Sequence, residues 1–381
     1  VSPAGPEGEL AGADGAGAPA TGGGRAGGAP PALHLLTPRR LATRLGALGL
    51  LLLACVGFGL GVGSSGLAPG EIWSALAAGI SGGASEAREA DAAAADIVLR
   101  IRGPRVLLAS LVGASLAVAG VLFQALLRNP LADPYILGVS GGAALAGIAV
   151  LALGASVGLG YGAVPPAAFA GAVGATALLY LLAGAGTRFS STHLLLTGVV
   201  FNAFASAGIV FLASVAGFAE GHSIFLWLIG SLSSARADVA GWVALFLAGG
   251  LACAVPLARS LNALALGEEP AEQLGVDVER TKRVILVATS LMVGAAVSVS
   301  GLIGFVGLII PHLLRLVLGP DHRLLVPAAA LGGAAFLVFC DTLARSALGG
   351  RELPVGAITA LAGGPLFLFL LRRHYLRGAP A

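Results

Sequence analysis

Residues 104–127 read Pro104-Arg-Val-Leu-Leu-Ala-Ser-Leu-Val-Gly-Ala-Ser-Leu-Ala-Val-Ala-Gly-Val-Leu-Phe-Gln-Ala-Leu-Leu127. No charged side chain comes after Arg105 in this stretch, and ~20 apolar residues cross a bilayer's hydrocarbon core as a helix. A membrane β-barrel would show ~10-residue alternating segments instead of long unbroken runs. The glycines, alanines and serines are the small side chains that let membrane helices approach closely. Comparable runs fall at 41–63, 135–154, 163–184, 193–215, 239–257, 283–300, 302–318, 324–345 and 354–371. Together they predict ten spans, and so an all-α polytopic membrane protein whose termini share one side. A shorter apolar piece, Ser223 to Leu232, is too short to cross and is expected to re-enter or lie at the interface.

Composition agrees. Of 381 residues, 57% are hydrophobic and 11% charged, with mean hydropathy +0.93. A soluble domain carries about a quarter charged residues, so a chain of two or three soluble domains is excluded. Residues 1–33 are rich in Gly, Ala and Pro and are expected to form a disordered cytoplasmic tail without secretory-signal features. Residues 40–375 are then the membrane domain. The three cysteines, Cys55, Cys253 and Cys340, each sit alone in an apolar run. They form no metal or disulfide pattern and read as small core residues.

The formal charge of +3 does not indicate nucleic acid, because the basic residues lie at the ends of apolar runs. With the N-terminus in the cytoplasm, fifteen of the 22 basic residues fall inside, the bias expected of a plasma-membrane protein. The outer set includes Arg100, Arg102, Arg105 and Arg345. An internal echo appears as well. Val112-Gly-Ala-Ser-Leu-Ala-Val-Ala-Gly-Val121 is similar to Val293-Gly-Ala-Ala-Val-Ser-Val-Ser-Gly-Leu302, five spans later. An odd offset inverts the second copy, so an inverted repeat is one reading and chance convergence of small-residue helices the other.

Several chemistries are excluded by absence. Lys282, the sole lysine, follows no glycine loop, so the chain has no phosphate-binding loop for ATP. No HExxH occurs and the six histidines are dispersed. Carboxylates are sparse within the spans, whereas an ion-coupled carrier needs ionisable groups there. Asp341 is the nearest candidate, and Arg345 one turn later offers it an i,i+4 partner. No catalytic residue, resident cofactor or metal site is expected.

The segment 259–282 breaks the apolar monotony. Its leucines alternate with an acidic cluster, and Gly267 and Gly275 are expected to divide it into two short helices. A connector needs only a handful of residues, so the loop is expected to dock on a cytoplasmic partner.

Four stretches carry a family resemblance over about 40–375. They are Arg102-Gly-Pro-Arg105; Gln124 to Gly142, containing Arg128-Asn-Pro-Leu-Ala-Asp-Pro-Tyr135; Leu266-Gly-Glu-Glu-Pro-Ala-Glu-Gln-Leu-Gly-Val276; and Gly304-Phe-Val-Gly-Leu-Ile-Ile-Pro-His-Leu-Leu-Arg315, continued by Gly319-Pro-Asp-His-Arg323 and Glu352-Leu-Pro-Val-Gly356. The chain resembles the FecCD-type permease subunits of ABC importers for iron–siderophores, haem or cobalamin. The pattern has leucine where Gly103 stands, which loosens the helix start but leaves both arginines.

The resemblance implies a second permease subunit, two ABC ATPase subunits, an extracytoplasmic substrate-binding protein and a lipid surround. It implies binding-protein docking at Arg102, Arg105 and Arg345, with Arg100 nearby; pairing with Glu89, Asp91, Asp96 or lipid phosphate is the competing reading. It implies ATPase coupling through Leu266, Gly267, Glu268, Glu269, Ala271, Glu272, Leu274 and Gly275. A cytoplasmic gate is implied at Asn129 and Leu131 with Ser191 and Thr192, although Asn129-Pro130 equally suits a structural turn. Pro311 is expected to kink its span, with His312 and Arg315 near Asp321-His-Arg323. The function expected is uptake of a metal chelate, foremost a ferric siderophore, across a bacterial inner membrane. A stand-alone ion-coupled carrier is the alternative from another class.

Overall fold

The computed structural model describes residues 37–63, 70, 72, 74, 89–154, 158–183, 191–233, 237–348 and 352–378. The predicted tail 1–33 lies outside the described residues, as does the side chain of Ser191. The helices are α1 Pro38–Gly61, α2 Glu89–Asp96, α3 Gly103–Leu126, α4 Val139–Leu153, α5 Val164–Ala183, α6 Ser191–Val215, α7 Phe218–Ile229, α8 Ala237–Leu264, α9 Glu268–Gln273, α10 Val278–Ser300, α11 Val306–Leu318, α12 His322–Ser346 and α13 Val355–Gly378. A π-helical turn, Ile97–Arg102, feeds α2 into α3.

All ten apolar runs form helices, but among the described residues seven of these are long and apolar enough to cross a bilayer. The helices α4, α11 and the apolar part of α13, Val355–Phe369, are shorter. For two of them the backbone explains the shortfall. Asp133 Oδ1 accepts the Tyr135 amide at 2.9 Å and starts a 3-10 turn, Pro134–Leu137; Gly138, at φ +83°, then breaks the chain before α4. Residues 301–305 are likewise non-helical, with Gly301 at φ +67° before α11. Both breaks use the left-handed backbone region that glycine enters without steric cost. The apolar piece at 223–232 is the second half of α7, which ends at Gly230.

The interior is built from α3, α10 and α12. Within the apolar window of α3, 83% of residues are buried, against none for α1. Outward-facing apolar side chains such as Leu50, Leu53, Phe204, Val210, Phe211 and Leu361 are each more than half exposed. In water that surface would be unstable, whereas hydrocarbon is a good solvent for it.

Small residues set the interior distances. A Cβ on Gly113 would run into the Gly333 carbonyl, so α3 and α12 meet backbone to backbone. Two turns later, a Cβ on Gly120 would collide with the Gly307 carbonyl of α11. Such contacts replace side-chain volume with dispersion between main chains.

The internal echo has a structural counterpart. A long helix, a glycine-containing break and a short helix occur as α3–α4 and again as α10–α11. Helix α3 packs on α12, and α10 packs on α5, where Gly294 faces Ala172. Five spans separate each helix from its counterpart in both pairs, so the two halves exchange equivalent partners. The chain directions are opposed, since α3 ends near Glu268 and α10 begins near it.

The 259–282 loop needs correcting. Helix α8 continues through Arg259 to Leu264 and α10 starts at Val278, leaving only 265–277 between them. One short helix, α9, replaces the two expected, bracketed by Gly267 at φ +128° and Gly275 at φ +81°. Burial accounts for the continuation of α8, because Leu261 and Leu264 point inward. Asp277 then caps α10 by accepting the Arg280 amide at 2.9 Å.

Candidate functional site

Charge concentrates at the two ends of the bundle. At the first end, Asp341 of α12 is 1% exposed and sits between two arginines. Arg105 Nε lies 3.1 Å from Oδ1, and Arg345 Nε lies 3.1 Å from Oδ2. Arg345 Nη2 also donates to the Gly59 carbonyl at 2.9 Å, tying α12 to α1. Arg102 Nη1 donates to the Leu60 carbonyl at 2.6 Å, at the end of α1. Arg105 Nη1 reaches Glu352 Oε2 at 2.8 Å, and the Glu352 side chain is half exposed. A buried charge is tolerable only when paired and hydrogen-bonded, and each of these groups has partners.

The residues expected to dock a binding protein differ in exposure. Arg102, Arg105 and Arg345 are at most 7% exposed and engaged internally. Arg100 has an 81% exposed side chain and pairs with Asp96 at 3.0 Å, one of the acidic partners its sequence neighbourhood offered. The expected i,i+4 pair between Asp341 and Arg345 is present. Sequence reasoning missed Glu352 and the long-range Arg105–Asp341 pair. Glu352 also lines a neighbouring cavity of about 670 Å³, with Ser223, Trp227, Ser231, Ser298 and Ser300 on its walls.

The other end carries α9. Ala271 is fully buried against Ala263, Leu264 and Val278, a small apolar cluster separate from the main core. That seat leaves Leu266 and Leu274 projecting, 70% and 66% exposed, on either side of the helix. Glu269 and Glu272 stand outside the buried cluster, while Glu268 turns inward toward Lys282, at 2.6 Å, and Arg128, at 3.4 Å.

Nearby, Asn262 of α8 donates to Asp321 at 2.8 Å and accepts the His322 amide at 2.9 Å, joining α8 to the start of α12. The Arg323 side chain hydrogen-bonds the Asp321 carboxyl and holds its pKa down at about 2. Arg315 lies near His322, as expected, and its Nη2 donates to Gln124 of α3 at 3.0 Å.

Two of the gate candidates, Asn129 and Leu131, sit beside this end, next to Arg128. Asn129 Oδ1 accepts the Leu131 amide at 2.9 Å, and the Ala132 amide donates to the Asn129 carbonyl at 3.1 Å. The turn that Asn129-Pro130 suggested is therefore real. Further along, Tyr135 Oη accepts the Ile303 amide at 3.1 Å and donates to the Ile303 carbonyl at 2.9 Å. One side chain thus clasps the two helix breaks together. Asn202 of α6 donates to the Tyr135 carbonyl at 2.9 Å. Helix α6 meets this segment through Gly198 and Asn202, further along the helix than the exposed Thr192.

An apolar, lipid-compatible helical bundle with charge gathered at its ends defines a multi-pass membrane protein. Comparison with known proteins specifies it. The chain belongs to the FecCD transport family, whose model matches residues 51–373, and it is a permease of ABC importers. It is 47% identical over 282 residues to the cobalamin import system permease of Halobacterium salinarum, covering 74% of each chain. It is 42% identical over 292 residues to the hemin transport system permease of Yersinia pestis, covering 73% of this chain and 84% of that one. A solved structure described as an inward-facing metal-chelate type ABC transporter superposes with a TM-score of 0.76 at 30% identity, covering 87% of this chain and 99% of the other.

Proposed function

We propose that the chain imports a bulky macrocyclic metal chelate, a corrinoid or haem, driven by an ATPase seated on α9. The observation that carries the substrate class is similarity at 47% and 42% identity to permeases named for cobalamin and hemin. The ferric siderophore expected above has no such support among these relatives, and the macrocycle takes its place as first choice. The exposed pair Leu266 and Leu274 flanking a firmly seated helix supports α9 as the ATPase contact. A short helix with apolar knobs fits a groove. The arginine cluster at the opposite end is the proposed binding-protein face, with Arg100 and Glu352 its exposed members.

The ion-coupled alternative loses its ground. Its best residue, Asp341, is held between Arg105 and Arg345 and is not poised to exchange ions. The test is reconstitution of the permease with its ATPase and binding protein in liposomes. ATP-dependent accumulation of cobalamin or hemin, exceeding that of a ferric hydroxamate, is the expected result. Preference for the hydroxamate overturns the substrate reading, and uptake driven by a proton gradient without ATP overturns the whole.

A further inference from the structure

Glu268 opens α9, and its carboxylate reaches cations on two different elements. Oε2 lies 2.6 Å from Lys282 Nζ of α10, and Oε1 lies 3.4 Å from Arg128 Nη2, just beyond the end of α3. The two cations are unlike. The Lys282 side chain is 1% exposed, with Glu279 a second acid at 3.7 Å, so it is fixed in the body of the bundle. Arg128 is 44% exposed and has φ +50°, a left-handed conformation rare outside glycine.

Residues 128–132 form one hydrogen-bonded unit. The Arg128 amide donates to the Ala125 carbonyl, the Asn129 amide donates to the Gln124 carbonyl, and the Asn129 side chain closes the turn onto Leu131. Gln124 in turn is held by Arg315 and donates to the Gly307 and Leu308 carbonyls. The turn is therefore a compact knob attached to α3 through one unusual backbone residue. Unusual backbone conformations persist where the surroundings enforce them and often mark moving sites.

A half-exposed pair such as Arg128–Glu268 adds little to stability, so stability alone is a poor account of it. We propose that Glu268 is the positioning residue that transmits motion of α9 to the gate turn, with Lys282 as fulcrum and Arg128 as receiver. The proposal rests on α9 being the ATPase seat. When α9 tilts about its buried contact with Lys282, Oε1 swings and draws the Arg128 guanidinium with it. Asn129 and Leu131 move too, because the turn's hydrogen bonds keep its shape. A signal at α9 thereby reaches the end of α3 through one carboxylate.

The test uses the full transporter in liposomes, comparing wild type with Arg128→Gln, Glu268→Gln, the double variant and Arg128→Lys. Copurification of the ATPase, thermal midpoint and substrate moved per ATP hydrolysed are read in each. For Arg128→Gln the expected result is about a tenfold fall in substrate per ATP, with ATPase binding and midpoint unchanged. The double variant should be no worse than the poorer single, and Arg128→Lys should recover most of the coupling. Wild-type coupling in Arg128→Gln overturns the proposal, as does a double variant that falls to the product of the singles. If Glu268→Gln folds poorly, Arg128→Gln still decides, since it leaves the Glu268–Lys282 pair intact. Should exposed-face changes at Leu266 and Leu274 leave ATPase binding intact, the seat reading fails instead, and this proposal with it.

Discussion

Asp341 shows how much one side chain can organise. Its two oxygens each take one arginine, and those arginines continue to the end of α1 and to Glu352. Replacing Asp341 with Asn keeps the shape but leaves two buried guanidinium groups facing a neutral amide. Breaking a buried ion pair costs about 3–5 kcal/mol, so Asp341→Asn should markedly lower the detergent-solubilised melting midpoint. An unchanged midpoint would show that water reaches the cluster. In the sequence, Asp341 with Arg345 is legible as a one-turn pair. The Arg105 contact is not, because 236 residues separate the partners and spacing says nothing about which helices adjoin. Lys282 is similar: a sole lysine among many arginines is conspicuous, yet its partner Glu268 emerges only once α9 folds back.

At the scale of elements, α9 is the clearest case. Six residues do not make a stable isolated helix. It persists because Ala271 inserts among Ala263, Leu264 and Val278, and because glycines turn the chain at both ends. Leu266 and Leu274 contribute nothing to that seat, so Leu266→Asp with Leu274→Asp should abolish ATPase copurification while leaving the melting midpoint in place. Retained binding would move the ATPase contact elsewhere. The leucine and glycine positions of this segment were legible in advance. That α8 would run on to Leu264 was not, because Arg259, Ser260 and Asn262 read as polar loop. Their neighbours Leu261 and Leu264 find a buried face, and tertiary burial overrides local polarity.

For the whole molecule, the controlling quantity is how closely helices approach. Gly120 and Gly307 place α3 against α11 with no room for a side chain. Gly120→Val should force these helices apart and sharply reduce monodisperse protein on size exclusion, since overpacking a filled interior costs about 1–3 kcal/mol or more. Gly57→Val is the control, because no atom lies within 4 Å of its added Cβ. Equal behaviour of the two variants would contradict the packing account.

That this chain lives in a membrane, and roughly where its ten apolar helices run, can be read from the string of residues without any contact known. Hydrophobic length against bilayer thickness is a one-dimensional quantity, and a string of residues carries it in full. The family motifs were equally visible, as was the echo between residues 112–121 and 293–302. Which arginines are buried and paired, where α4 and α11 begin, and that Tyr135 clasps Ile303 emerge only in the folded chain. Those depend on contacts between positions far apart in the chain, set by which small residues meet when helices cross. The fold also joins Glu268 to Arg128, a contact spanning 140 residues that spacing could not foretell.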